Sequence, residues 1–494
     1  MRGRQHGGFF KVFEEKKKPQ MAAMFAALRA VPEIERAKML KAFGNEAVAE
    51  QIDFTDKFGR LFPERAGQEE LFSADKLKDL AEKMFRNDSA NDSGVPVGFA
   101  FLGQFIDHDI TLDAITQLGR VAGDVSKIEN FRTPRLDLDS VYLNGPEASP
   151  YLYERQRFGH GPELLIGTEG NPLDVQRLPD GTAIIGDPRN DENIFISQIQ
   201  SLFIRLHNYV AKLVADCRIH KTEESTFEQA RNICRWLYQW IIVNEFLPAA
   251  VHEDVLKPYI DGFNNGTLPM PGKDGEKIDW LSKPFISVEF SAAAFRFGHS
   301  LIRQDYRLNK IVAGDLFDFS AFSPIEEYKN IDWRYLLDFG DGKHQSAKAI
   351  DTVLPEALKT LPFIAENEVQ NLAERNMLRG QHTFELLTGE EAAEKFGETP
   401  IEKHRLIQEC GLSETPLWFY VLAEAEVSGG KLGPVGGQIV AGTLLRLLLA
   451  DETSYIRAEE AKDFNPYQLL DIDPDNVHSV FAEMARTVSA SSEK

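Results

Sequence analysis

The sequence predicts a mainly α-helical chain with long loops and little or no β structure, on three observations. Apolar residues recur at helical spacing. Ile199, Leu202/Phe203, Leu206, Val210 and Leu213/Val214 form one stripe, and Phe227, Ile233, Trp236/Leu237, Trp240/Ile241 and Phe246 a second, closed by Pro248. No alternating pattern builds a strand ladder. No segment repeats at a fixed period, so the chain reads as one large domain at 56–485, with a polar helical extension at 1–55 and a disordered tail at 486–494.

Taken in order, the extension offers short amphipathic helices at about 21–28 and 34–43. A loop follows at Phe58-Gly-Arg-Leu-Phe-Pro63, then a charged helix over about 75–85. Asn87-Asp-Ser-Ala-Asn-Asp-Ser-Gly-Val-Pro96 is turn-rich and ends in N-cap chemistry, which predicts that the next helix starts there. Residues 120–190 are dense in Pro, Gly, Asp and Asn, and an irregular stretch of that length usually has a function. Helices are expected again from 192, then at about 290–303, 365–380, 416–427 and 435–450.

Composition narrows the function classes. The hydrophobic fraction is 43% and the charged fraction 27%, ordinary for a large core. A formal charge of −22 excludes nucleic acid and anionic membrane surfaces as natural partners and suits small neutral or cationic ones. The one basic run, Lys16 to Lys18, reads as a solvated helix face. Three cysteines, Cys217, Cys234 and Cys410, have no spacing for disulfides or zinc. Neither a signal peptide nor an 18-residue apolar run is present, so a soluble protein, cytoplasmic or exported without a leader, is expected.

The chemistry concentrates in Gly103-Gln-Phe-Ile-Asp-His-Asp109. On a helix, Gln104 and His108 share a face, while Asp107 and Asp109 point about 100° to either side of His108. The three residues 107–109 therefore address three different targets. Partners come later, in Asp187-Pro-Arg-Asn-Asp-Glu192, in Phe295-Arg-Phe-Gly-His-Ser-Leu-Ile302 and in Asn376-Met-Leu-Arg379, where Arg296/His299 and Asn376/Arg379 stand one turn apart. A lone histidine on an apolar helix is usually a satisfied core residue; four such segments in this order are not a chance pattern.

These four segments resemble the animal-type haem peroxidases of the peroxidase–cyclooxygenase superfamily, over about residues 57–450. Phe58-Gly-Arg-Leu-Phe-Pro63, Tyr238-Gln-Trp-Ile-Ile-Val243 and Thr415-Pro-Leu-Trp-Phe-Tyr420 look most like the bacterial, peroxicin-like branch. The resemblance implies a myeloperoxidase-like fold and a haem b enzyme that oxidises small donors with hydrogen peroxide through Compound I. It implies His108 as the distal histidine, with Gln104 and Arg189 beside it, and His299 as the proximal iron ligand. Asn376 would stand behind His299, Arg296 and Arg379 would hold haem propionates, and Asp107 and Glu192 would ester-link the ring.

Physical chemistry asks for the same groups. Shifting a proton between the two oxygens of peroxide needs a neutral base, and histidine has the pKa for it. Charge on the departing oxygen needs a fixed cation. A proximal imidazole needs a partner for its second nitrogen. In Thr133-Pro-Arg-Leu-Asp-Leu-Asp139, oxygen-bearing groups at alternating positions suit a hard cation. The resemblance makes that ion calcium, held by Asp109, Thr133, Arg135 through its carbonyl, Asp137 and Asp139. Asp139 stands where the mammalian enzymes usually carry serine, and Arg135 where they carry an apolar residue.

Asn193 occupies the place of a methionine that myeloperoxidase joins to its haem, so chloride oxidation is not expected. Iodide, bromide, thiocyanate and phenols remain as donors. Two rivals are a fatty-acid dioxygenase of the same superfamily and a non-enzymatic haem-binding scaffold. The first needs a tyrosine three residues before the proximal histidine, where Arg296 stands; the second predicts decay at Gln104, His108 and Arg189, which are intact. His6, His160, His207, His220, His252, His344, His382, His404 and His478 show no ligand spacing and read as surface or core residues.

Overall fold

The computed structural model describes residues 56–491 apart from 66, 87–90, 114–115, 157–158, 168–169, 220–223, 273–277, 279–283 and 321. The helices expected at 21–28 and 34–43, the basic run, His6 and His220 lie outside the described residues. Helix accounts for 50% and strand for 9%. The strands make small antiparallel pairs: β1 (Asp92–Pro96) with β6 (Ser346–Lys348), β2 (Tyr153–Gln156) with β3 (Gly159–Leu164), and β4 (Asp305–Arg307) with β5 (Ala313–Asp315). Strands of three to six residues leave too little alternation to detect in a sequence.

After α1 (Ala74–Glu82), the helix that carries the first motif is α2 (Gly98–Ile110). It does not begin with a polar side-chain cap. Val97 holds the cap position, and the preceding residues are β1 rather than a turn. A neighbouring backbone does the capping, since the Gly98 N–H donates to the Leu336 carbonyl at 2.8 Å. A Cβ at Gly98 would itself stand 2.8 Å from that oxygen, so the close approach needs glycine.

The central helix is α3 (Ile194–Ala215), buried over nearly its whole length and packed against α2 and α4 (Thr226–Ile241). Its N-cap is Asn193, whose Oδ1 accepts from the Ile196 N–H at 2.9 Å. Two stacked ring pairs join α2 to α3: Phe101 on Phe195 at 4.1 Å between centroids, and Phe105 on Phe203 at 5.0 Å. Each buried phenyl contributes about 1.5–3 kcal/mol through burial alone. The second stripe does not end at Pro248 as expected. It passes through a π turn at Ile242–Phe246 into the helix Leu247–Ala250, where Pro248 occupies the first turn, the one place a helix tolerates it.

The expected helix at 290–303 is two elements. α5 (Val288–Ala292) stops at Ala293 (φ −133°, ψ −77°), and a 3₁₀ turn, Ala294–His299, continues in a new direction. With three residues per turn, Arg296 and His299 are stacked one above the other. α6 (Leu372–Leu378) runs into a π turn at Arg379–Thr383. α7 (Leu417–Val427) and α8 (Pro434–Ala450) form a buried pair, joined where the Glu424 carboxyl accepts from the N–H groups of Val435 and Gly436.

A C-terminal helix, α9 (Val480–Ser491), replaces the disordered tail placed at 486–494, up to residue 491. It packs on α3, its start is held by Glu245, which accepts from the Ser479 hydroxyl at 2.9 Å, and Phe481 touches the Phe99 ring at 6.1 Å. All three cysteines are free thiols, Cys217 exposed and the others buried. Among the described residues no helix is long and apolar enough to cross a membrane.

Candidate active site

A cavity of about 370 Å³ opens between α2, the start of α3 and the Ala294–His299 turn. α2 contributes Gln104, Asp107 and His108 to its wall, the Glu192/Asn193 corner faces them, and the turn brings Arg296 and His299. Phe99, Phe101, Phe246, Phe317, Phe322 and Phe363 make the rest largely apolar. Asp109, the next residue on α2, points out of the cavity into the acidic loop, as 100° per residue requires.

His108 is buried, and its Nδ1 lies 2.7 Å from the Asn190 Oδ1. Burial and the nearby Arg189 guanidinium push its pKa down to about 4, so at neutral pH the ring is a neutral base. Arg189 sits behind it, donating from Nη2 to the His108 carbonyl at 2.9 Å and to Asp187 at 2.7 Å, with Nη1 buried and unpaired among the described residues. Burial opposes ionisation of Asp187, yet Arg132 and Arg189 outweigh it and hold the carboxyl well below the usual range. One residue further, Arg177 grips Asp191 with two bonds of 2.7 Å and Asp174 with two more, which fixes the Pro188–Asp191 turn.

Asp107 is held by the Thr111 hydroxyl at 2.9 Å, and Glu192 accepts from the Gln104 amide. Burial pushes the Glu192 carboxyl well above the ordinary carboxylate range. Asn193 caps α3 through Oδ1 and donates from Nδ2 to the Gln104 Oε1 at 3.4 Å.

On the opposite wall, His299 Nδ1 lies 2.8 Å from the Asn376 side-chain amide, whose Oδ1 also takes Arg296 Nη1 at 3.0 Å. Arg296 is buried, its Nη2 is unpaired among the described residues, and burial and Arg379 push its pKa down to about 9. Arg379 is buried too, 3.8 Å from Asp113. Neither Arg379 nor Asn376 forms part of the cavity wall; both stand behind it.

Carboxylate oxygens of Asp109, Asp137 and Asp139 lie within 4.8 Å of one another. Asp109 Oδ1 is buried and unpaired among the described residues, while Oδ2 accepts from the Leu138 N–H at 3.2 Å. Thr133 donates its hydroxyl to Asp137 at 3.1 Å, and the Arg135 charge lies near Asp137. Burial raises the pKa of all three acids, Asp139 to about 7; Asp137 and Asp139 add to it at Asp109, Asp137 and Asp187 at Asp139, and Asp451 at Asp137. Such mutual strain is what a divalent cation relieves.

Several contributors were not assigned from sequence. Asn190 and Asp187 lie in a segment singled out for Arg189 and Glu192. Gln200 carried a signal, a polar side chain inside a buried apolar helix. Tyr238, buried beside Asp109, carried none. Of the remaining histidines, His207 and His382 are buried and bonded to carbonyl oxygens, while His252 and His404 cap helices.

The animal haem peroxidase family model matches residues 129–381, just over half the chain, and the chain belongs to that family. The match includes the acidic loop, Arg189, His299, Asn376 and Arg379, while α2 lies before it. The chorion peroxidase of Drosophila melanogaster is 27% identical over 381 residues, covering 70% of this chain and 44% of the relative. Human thyroid peroxidase is 26% identical over 119 residues, 24% of this chain and 12% of that protein. The chain thus spans less than half the length of these relatives. Among solved structures, peroxidase A from Dictyostelium discoideum superposes with a TM-score of 0.66 at 18% identity, covering 89% of this chain and 94% of that one. The fatty acid α-dioxygenase of Oryza sativa gives 0.65 at 17%, covering 89% and 82%.

Proposed function

We propose that this chain is a hydrogen-peroxide-dependent haem peroxidase acting on small donors. One observation carries the reading: His108 and His299 line one cavity, and each has its Nδ1 against an asparagine. The residues suit a haem. Two imidazoles bound the cavity, its wall is apolar, and Arg296 offers a buried, unpaired guanidinium nitrogen for an anion such as a propionate. His299 would hold the iron and Arg296 a propionate, with the Arg379 charge behind it favouring the same anion. Asp107 and Glu192 both reach the cavity wall, where ester links to the ring would form. Bound haem supplies the electrons with which the peroxide bond is reduced.

The protein's own groups handle protons and charge. Neutral His108 takes a proton from one peroxide oxygen and returns it to the other as that oxygen leaves as water. Arg189 stabilises the charge that develops meanwhile, and Asp187 keeps the guanidinium in place. Gln104, bonded to Glu192, orients peroxide from the same face of α2. For His299 to bind iron through Nε2, its Nδ1 must carry a hydrogen. A half-turn of the Asn376 amide offers Oδ1 to that hydrogen and releases Arg296 Nη1 toward an anion. A calcium ion held by Asp109, Asp137 and Asp139, with Thr133 and the Arg135 carbonyl, would brace α2 from behind.

Donors are phenols, iodide, bromide or thiocyanate; Asn193 is occupied as a helix cap and offers no sulfur for a third link to the ring. The dioxygenase alternative shares the fold, but Arg296, bonded to Asn376 and to the Ser291 carbonyl, stands where it requires a tyrosine. Haem-loaded protein is expected to show a Soret band that shifts with peroxide and returns when a phenol or iodide is added. His299→Ala should lose most of its haem. A full, unshifted Soret band in that variant overturns the assignment.

A further inference from the structure

We propose that Asn190 and Gln200 form a tautomer lock on His108, holding its hydrogen on Nδ1 so that Nε2 is always the bare, proton-accepting nitrogen. The proposal rests on the reading of His108 as the base, and makes Asn190 and Gln200 positioning residues for it.

The lock is read from a line of hydrogen bonds that begins at a group unable to change its role. The Ser140 backbone carbonyl can only accept, and Gln200 Nε2 donates to it at 3.2 Å. Gln200 therefore has Oε1 turned the other way, where it accepts from Asn190 Nδ2 at 2.7 Å. That fixes the second amide, so Asn190 presents Oδ1 to His108 Nδ1 at 2.7 Å. An amide oxygen has no hydrogen to give, so Nδ1 must supply it. A neutral imidazole has one N–H, which leaves the lone pair on Nε2. The opposite tautomer would set two lone pairs against each other at 2.7 Å, an exchange that disfavours it by roughly ten-fold or more.

Placement supports this role. Gln200 and Asn190 are fully buried, and on α3 Gln200 stands among Ile196, Ser197, Phe203 and Ile204, all buried. A buried amide there lowers stability unless both its ends are bonded, and both are. Gly186 allows the approach: a Cβ there would lie 2.5 Å from the Ser140 oxygen where the line starts. The Asn376 amide differs, because the group that orients it is the Arg296 guanidinium, which donates to its oxygen at 3.0 Å and turns the NH₂ toward His299.

The test uses ferric haem-loaded protein at pH 8 with two readouts: the rate of cyanide association, and the rate at which peroxide changes the Soret band. Cyanide arrives as HCN; its proton goes to His108 Nε2 as its carbon lone pair binds iron, so binding alone reports the bare nitrogen. Asn190→Leu is expected to slow both rates about ten-fold or more with an unchanged resting Soret band. Gln200→Leu should slow them several-fold, since a freed Asn190 can turn its NH₂ toward His108. The deciding variant combines Asn190→Asp with Gln200→Leu. A carboxylate accepts on either oxygen and needs no orienting neighbour, so this double variant should be faster than Gln200→Leu, whereas loss of packing would make it slower. A double variant no faster than Gln200→Leu overturns the lock, as do wild-type rates in Asn190→Leu. Should Asn190→Leu fail to fold, the comparison between the other two decides. His108→Ala separates the two readings: wild-type rates there reject His108 as the base, while slow rates there beside normal rates in Asn190→Leu reject the lock alone.

Discussion

An imidazole is a base on one nitrogen at a time, and the two cavity histidines have that choice made by asparagines of different freedom. Arg189 is likewise divided: Nη2 serves the His108 carbonyl and Asp187, Nε serves Asp187 again, and Nη1 is unpaired among the described residues. Arg189→Ala should keep its haem but react with peroxide on the order of 100-fold more slowly, as for loss of one preorganised donor. Stopped-flow traces at the Soret band check this, and a near-normal rate would assign the charge-stabilising role to another residue. The residues that touch the cavity were legible in sequence because the chemistry restricts them to few types. Those that hold them were not. Asn190 and Gln200 acquire roles only when folding brings them to His108 and Ser140.

At the scale of elements, the sequence marks the apolar faces of helices better than their ends. The interiors of α3, α4, α7 and α8 follow from apolar periodicity. Other ends carry no local signal: the Leu336 carbonyl starts α2, and α5 breaks at Ala293 with no Gly or Pro. The segment that carries Arg189 and Asn190 depends on one such approach. Gly186→Ala should push it off the Ser140 carbonyl and cost about 1–3 kcal/mol, with slower peroxide turnover; an unchanged melting temperature would contradict this.

The α7–α8 junction gives a pH signature. Burial pushes the Glu424 carboxyl up to about 7, from 4.5 in an unfolded chain. A pKa raised by folding means stability that is full below about 4.5 and is lost as pH rises through 7. Each unit is worth about 1.4 kcal/mol, so the wild type should weaken by up to about 3 kcal/mol across that window. Glu424→Gln cannot ionise, and its stability relative to wild type should improve from pH 5 to pH 8. Denaturant unfolding at both pH values measures it, and an equal difference at the two would rule out Glu424 as the source.

For the whole molecule, mainly helical architecture was legible because stripes of that length have one explanation. The small β pairs were not, because their stability comes from the surrounding core rather than from strand patterning. On the proposed function, a cation in the acidic loop behind α2 would tie that loop to overall stability. Removing calcium with a chelator should lower both the melting temperature and haem retention; a site at 100 times its Kd contributes about 2.7 kcal/mol. Asp137→Ala should make the protein indifferent to the chelator, and an equal response in that variant would relocate the ion.

The contact of Phe481 with Phe99 has a consequence for synthesis. Phe99 lines the cavity, yet its buttress on α9 leaves the ribosome after every other wall residue. While translation proceeds, the pocket lacks one support and α3 has an uncovered face. On the proposed function, a chain stalled before α9 would offer haem a cavity without that buttress.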